Sequence, residues 1–333
     1  DVIASLTYDR AKTVEKSYNR RTRKYMESTT SRNTVIGYVQ DKIHITDNWD
    51  LTPALRYSYY SDFDYTSNAA FKGKGESHHI TPALNTEYLI DDTLSVYGGW
   101  TQIYRPVRQG DYTTLHGIYK TPLENERGDA WTLGVRKEFS QHTALAVHYN
   151  WTRMHNAIAS FPIWDASIPG YDSTAVNARE DKKSFNITFD HAFDKHVTMS
   201  ASYSHMDDKW QVKSGWNVDP SWGLNGEDDI NTQINRLRPQ NHYALNLSYE
   251  NQKLYTGLLI NWYTGNNLRA FTDRQFLVLD WNINYSFTPD LTGYITINNL
   301  TNEAYQTSYS SYNGLGSSTM PARSVMVGAR YTF

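Results

Sequence analysis

The sequence predicts an all-β fold, a membrane-spanning antiparallel barrel wall of about fourteen strands, and three observations predict it. The last ten residues alternate without a break: Val325, Val327, Ala329, Tyr331 and Phe333 fall on one face, and Ser324, Met326, Gly328, Arg330 and Thr332 on the other. The pleat of a strand sends successive side chains to opposite faces, so one set meets hydrocarbon while the other lines a polar interior. Next, 26 Tyr and 10 Trp among 333 residues accompany a negative mean hydropathy, which suits a wall that is apolar on alternate residues only. Finally, short polar turns alternate with long polar connections along the whole chain.

The short turns are residues 46–50, 90–93, 140–142, 193–196, 250–253 and 288–291, and their central residues recur 38 to 57 positions apart. Each interval holds a strand, a long connection and a second strand. In order, the predicted strands lie near 2–9, 34–46, 49–61, 78–90, 93–104, 128–139, 143–154, 177–191, 197–208, 239–250, 253–264, 275–287, 291–300 and 321–333. The second keeps Val35, Gly37, Val39, Ile43 and Ile45 in one register that Asp41 breaks, near the turn end where a charge costs least or where a bulge absorbs it. Val197, Met199, Ala201 and Tyr203 alternate with Thr198, Ser200, Ser202 and Ser204. Tyr243, Leu245, Leu247 and Tyr249 alternate with Ala244, Asn246 and Ser248. Leu277, Leu279, Trp281, Ile283, Tyr285 and Phe287 oppose Asp280, Asn282, Asn284 and Ser286. The connections 10–33, 62–77, 105–127, 155–176, 209–238, 265–274 and 301–320 then face outside, because barrels of this kind carry short periplasmic turns and long outer loops.

No window approaches the ~20 apolar residues of a spanning helix. A net charge of -3 argues against nucleic acid as a partner, and the basic run Arg20, Arg21, Arg23 and Lys24 reads as a solvated loop. The absence of Cys discriminates little. The chain begins at Asp1 with neither Met nor an apolar export signal, so its beginning is read as a cut. A soluble carbohydrate-binding β-protein is the competing class.

Several segments resemble TonB-dependent outer-membrane receptors of the siderophore-receptor type. They are Tyr38-Val39-Gln40-Asp41 with Ile45-Thr46-Asp47-Asn48-Trp49 and Leu55-Arg56-Tyr57; Thr81-Pro82-Ala83-Leu84 with Arg105-Pro106; Pro122-Leu123-Glu124 before Trp131-Thr132-Leu133-Gly134; Asn298-Asn299-Leu300-Thr301-Asn302-Glu303-Ala304-Tyr305; and the terminal Tyr331-Thr332-Phe333. The resemblance covers essentially the whole chain. It implies a 22-stranded barrel filled by an N-terminal plug, of which residues 1–333 would be the C-terminal portion. It further implies outer-membrane lipid as surroundings, an iron-siderophore ligand, with haem or cobalamin as alternatives, and energy from the TonB-ExbB-ExbD system through a TonB box in the missing N-terminal region. No resident cofactor, metal or catalytic residue is implied. A passive fourteen-stranded porin or fatty-acid channel and a structural or adhesin-like barrel remain as alternatives.

If the resemblance holds, ligand recognition falls to aromatic and cationic residues of the outer loops and upper lumen, which suit an anionic, partly aromatic chelate. The candidates are Tyr104, Arg105, Arg108, Tyr112 and Tyr119 in one loop; Trp164 and Tyr171 in the next; Trp210, Trp216 and Trp222; Arg269 and Arg274; and Tyr305, Tyr309 and Tyr312. The bland reading of each is an interfacial ring or a solvated Arg. His78-His79 points to opposite faces and makes a poor metal pair. His148 and Asn150 share a lumenal face, but no Ser of that face on the same strand completes a nucleophilic set. Glu227, Asp228 and Asp229 read as a solvated acidic loop ahead of a calcium site. Gly73 and Gly75 lack the context of a phosphate loop.

Overall fold

A computed structural model describes residues 1–19, 23–62, 64–66, 76–108, 123–163, 172–212, 239–265, 275–306 and 319–333. Among them are sixteen strand segments in one antiparallel sheet: β1 (Val2–Asn19), β2 (Lys24–Asp41), β3 (Ile43–Thr46), β4 (Trp49–Tyr60), β5 (Asp64–Thr66), β6 (Ser77–Asp91), β7 (Leu94–Arg105), β8 (Glu126–Ser140), β9 (Thr143–Ile163), β10 (Asp172–Ala192), β11 (Val197–Val212), β12 (Asn241–Glu250), β13 (Leu254–Thr264), β14 (Gln275–Ser286), β15 (Leu291–Asn298) and β16 (Ser324–Tyr331). The sheet order is β1-β2-β4-β6 and then sequential to β16, with β3 on β4 and β5 on β2. β3 continues β2 past Lys42, and β5 continues β4, which leaves the fourteen staves that the alternation predicts. No described helix is long and apolar enough to cross a membrane.

Register carries the face assignment from strand to strand. Directly paired residues of an antiparallel ladder share a face. Val327 pairs Ile295, which pairs Ile283, then Thr256, Tyr249 and Val197. Higher on the same wall, Leu279 pairs Ile260, then Leu245, Ala201, Phe189, Leu145 and Lys137. Leu133 pairs Tyr149 and Gly98, and Leu84 pairs Trp100 and Pro53. The apolar sets of separate strands thus merge into one continuous surface, and Asn246, Asn282, Ser200 and Arg330 lie on its reverse. A single slip of one residue would break this continuity, so the pattern fixes the register.

Aromatic rings edge the apolar surface at both margins. Near the long-connection side, Trp131 stacks on Trp151 at 4.7 Å, and Tyr243 stacks between Tyr203 and Trp262 at 4.7 and 4.9 Å. Near the short turns, Tyr285 meets Phe287 at 5.0 Å and Tyr331 meets Phe333 at 5.4 Å. Leu277 and Phe287 are ten residues apart, about 33 Å along a strand and about 25 Å in depth at a tilt near 40°, the height of an outer-membrane apolar band.

The turns close through their own side chains. The Asp194 carboxylate accepts the His196 and Val197 N–H groups at 2.7 and 2.8 Å, Asn251 accepts those of Lys253 and Leu254, and Asp91 accepts that of Thr93. These bonds and the neighbouring His196 and Lys195 charges hold Asp194 below the usual carboxylate range. Asp and Asn mark the turns because their short side chains satisfy backbone donors two and three residues on.

Of the connection 10–33, expected to be a loop, residues 10–19 and 24–33 instead extend β1 and β2 into a ribbon paired as far as Asn19↔Lys24. No apolar period in the sequence betrays this ribbon, although Thr, Ser, Tyr and Val fill it and no Gly or Pro interrupts it. β9 and β10 likewise stay paired to Ile163↔Asp172, across a bulge near Ala178 and Glu180. Asp41 stays in the register of Val39 and Ile43, since Gln40↔Ala54 and Ile43↔Leu51 keep one pairing frame across Lys42; it ends β2 near the short turn, where its carboxylate meets the Asp1 amino group at 3.3 Å.

Candidate functional site

The loop-side ends of the strands carry three side-chain clusters. On β12, β13 and β14, His242, Tyr263 and Phe276 occupy the polar-face register, the reverse of Trp262 and Leu277. Their rings stack in sequence at 4.3 and 4.9 Å, and Tyr305 adds a fourth ring 5.2 Å from Phe276. His242 also bonds Asn261 Oδ1 through Nε2 at 2.9 Å, which fixes its plane. The result is an aromatic column across the upper inner wall.

Asn299 holds Tyr305 in place. Its backbone adopts φ 53°, its amide donates to the Glu303 and Pro321 carbonyls at 2.8 and 3.3 Å, and its Oδ1 accepts the Glu303 N–H at 2.8 Å. Asp280 accepts the Asn299 N–H at 2.7 Å, and Met320 N–H bonds the Tyr305 carbonyl at 2.8 Å. Asn tolerates the left-handed region better than other residues with a Cβ, and here its amide is buried with partners on both ends. That is the physical content of the Asn298–Tyr305 motif.

The second cluster joins β2, β4, β6 and β7. The Arg32 guanidinium lies 5.0 Å over the Tyr60 ring and donates to the Ser61 and Val107 carbonyls. Tyr104 stacks on His79 at 4.4 Å, sits 6.4 Å from Tyr60, and accepts from Asn125 Nδ2 at 3.1 Å. These contacts form where the β6–β7 ladder stops at Ala83↔Thr101. His79 also bonds Gln102, and no group of three or more metal-ligating side chains occurs among the described residues.

The third cluster is acidic. Arg105 is ion-paired to Glu126, whose second oxygen takes the Ile158 N–H at 2.7 Å. Glu180 on β10 lies between Arg179 and Asp181, beyond the apolar band, and meets Asp208 on the adjacent β11. Burial first, and then the Asp208 charge, push Glu180 up to about 7. Trp210, the register partner of Glu180, has a buried Nε1 with no bond among the described residues.

Against the sequence expectations, Tyr104 and Tyr305 sit in ring clusters, Trp210 lies beside Glu180, Arg105 is committed to Glu126, and Arg108 is exposed beside Val107. Tyr112, Tyr119, Trp164, Tyr171, Trp216, Trp222, Arg269, Arg274, Tyr309 and Tyr312 fall outside the described residues, as do Gly73, Gly75, Glu227, Asp228 and Asp229. Asn150 bridges Thr132 and Ser184 at 2.9 and 3.3 Å as a polar rung. Sequence reasoning missed His242, Tyr263, Phe276, Arg32 and Tyr60. A signal existed for the first three: each is an aromatic ring in the polar register at a strand's loop-side end.

Among curated relatives, the ferric-pyoverdine BN7/BN8 receptor of Pseudomonas putida is 22% identical over 307 residues, which are 89% of this chain and 34% of the relative. The ferripyoverdine receptor of Pseudomonas aeruginosa is 21% identical over 311 residues, 89% of this chain and 35% of that protein. The chain therefore spans about a third of the length of these relatives. The solved pyoverdine outer membrane receptor FpvA from Pseudomonas aeruginosa PAO1, bound to pyoverdine, superposes with a TM-score of 0.65 at 19% identity, covering 93% of this chain and 43% of that one, which is a likeness of fold. The model of the family described as TonB dependent receptor-like, beta-barrel, matches residues 3–300. Its members are transport receptors of the outer membrane rather than enzymes. Matched over most of its length and built as one lipid-faced antiparallel wall, the chain belongs to the TonB-dependent receptor β-barrel family.

Proposed function

We propose that this chain is the C-terminal part of the barrel of a receptor that binds a ferric siderophore and imports it, energised through the TonB-ExbB-ExbD system. The observation that carries the reading is the aromatic column His242–Tyr263–Phe276–Tyr305 on the upper inner wall. Stacked faces with Arg32 and Tyr60 elsewhere on the rim offer π surfaces and a cation to an anionic, partly aromatic chelate. The names of the relatives, which are ferric-pyoverdine receptors, support the same ligand class.

The sheet's edges support the domain reading. Among the described residues β1 pairs only β2 and β16 only β15, and an open edge is not tolerated in hydrocarbon. Further strands and a plug preceding residue 1 complete the barrel on this reading. The same observation counts against a self-contained fourteen-stranded porin, whose first and last strands would pair.

The test uses the full-length receptor. A strain that depends on it is grown on a panel of iron sources, and the purified receptor is titrated with the ferric siderophore that restores growth. Tyr263→Ala and Tyr305→Ala each weaken binding by about tenfold, the scale of one lost ring contact. Growth supported by haem or cobalamin alone, or by none of the iron chelates, overturns the siderophore reading.

A further inference from the structure

We propose that Asn125 and Asn177 are positioning residues for ligand capture, holding the top of the β7–β8 pair, and with it Tyr104, between β2 and β10. The β6–β7 ladder stops at Ala83↔Thr101 and the β8–β9 ladder at Gly128↔Met154, while β7 and β8 stay paired as far as Arg105↔Glu126. Among the described residues, 102–105 therefore have no backbone ladder to β6, and 126–127 none to β9. A two-stranded tip without flanking strands is marginal by itself, so side chains must set where this one stands.

Side-chain amides take over where the ladders end. Asn177 on β10 accepts the Glu124 N–H at 2.7 Å and donates to the Glu124 carbonyl at 2.9 Å, the two-way exchange that the peptide of a neighbouring strand makes in an antiparallel pair. Its second amide proton goes to the Asn156 carbonyl on β9 at 3.0 Å. Asn156 Nδ2 donates in turn to the Glu124 carboxylate at 2.7 Å, and the Ile158 N–H to that of Glu126 at 2.7 Å, so the limb entering β8 is tied to β9 and β10. One residue on, Asn125 repeats the device across the two limbs: Oδ1 accepts the Val107 N–H at 3.0 Å, and Nδ2 donates to the Tyr104 hydroxyl at 3.1 Å. The Val107 carbonyl accepts from Arg32 of β2 at 3.0 Å, and Val107 itself is buried. Contacts thus run without a break from Asn177 through Glu124, Asn125 and Val107 to Arg32. The rings of Tyr60 and Tyr104 and the Arg32 head take their relative places from an amide on β10 that touches none of them. The role in capture rests on the siderophore reading above; the tether itself does not.

The experiment uses the full-length receptor carrying Asn177→Ala. Hydrogen exchange followed by mass spectrometry reads the tether. The Glu124 amide loses its acceptor directly, and the Val107 amide, which Asn177 does not touch, exchanges about tenfold faster because Asn125 is no longer held. Faster exchange at Glu124 alone overturns the proposal, since Asn177 then acts only on its own neighbour. Affinity for the ferric siderophore that restores growth in the assay above reads the role in capture. Asn177→Ala and Tyr104→Ala each weaken binding about tenfold, and the double variant binds no more weakly than Tyr104→Ala. The losses of Asn177→Ala and Tyr263→Ala, the latter on the separate aromatic column, multiply instead. A general loss of stability would not tell Tyr104 from Tyr263. Unchanged affinity for Asn177→Ala, or multiplied losses with Tyr104→Ala, overturns the positioning role while the siderophore reading stands. A parent receptor that binds no ferric chelate overturns that reading, and the exchange at Val107 then decides the tether. Asn125→Leu, of similar size and without either amide bond, repeats the cycle with Tyr104→Ala should Asn177→Ala fold poorly.

Discussion

Neighbouring residues on one strand should differ by kilocalories in what they tolerate. Leu247 lies between Met199 and Leu258 in the register of β11–β12–β13, near mid-depth of the apolar face, whereas Asn246 lies between Ser200 and Leu259 on the reverse. Arg at Leu247 sets a guanidinium against hydrocarbon, at a cost of about 2–4 kcal/mol near the bilayer midplane. That lowers the folding equilibrium constant by roughly thirty- to a thousandfold. Arg at Asn246 meets water or polar protein, and its cost is about 0.5 kcal/mol or less. The assay is guanidinium unfolding of the full-length receptor in bilayers, with both variants and the parent measured at one lipid composition. Equal losses, or a greater loss for Asn246→Arg, would refute the assignment of faces on which every other conclusion rests.

Asn299→Ala leaves the Glu303 and Pro321 backbone groups without their amide partner and puts Ala, which tolerates the left-handed region less well than Asn, at that backbone position, a loss of about 2–4 kcal/mol. Asn299→Gly keeps the first defect and relieves the second, so it is milder by about 1 kcal/mol; identical unfolding midpoints for the two would remove the backbone from the explanation. Asp194 has a depressed pKa, so its contribution is present above the unfolded carboxylate value and fades as the pH drops through the folded one. Asp194→Asn keeps the acceptor and flattens that acid limb, which thermal melts from pH 3 to 6 would reveal. Glu180 shifts the other way: the unfolded chain loses its proton near 4.5 while the folded one retains it to about 7, so stability falls as pH rises through that window. Glu180→Gln removes the slope, and a variant with the parent's pH profile would show that the carboxyl titrates normally.

The strand count, the face of each membrane-embedded strand and the side-chain-closed turns were legible because each rests on local chemistry. A two-residue period in Leu277–Phe287 states its own faces, and Asp91, Asp194 and Asn251 bond donors two or three residues away. The ribbon of β1 and β2 above the membrane was illegible because its residues carry no apolar two-residue period. The rim clusters were illegible for a different reason. His242, Tyr263, Phe276 and Tyr305 span four separate segments of the chain, and Arg105 meets Glu126 across a long connection. Sequence by itself determined which side of each strand is oily, since hydration is a property of the residue. Only the tertiary structure decided which rings stack and which Arg is already paired, because those depend on the register that brings distant strands side by side.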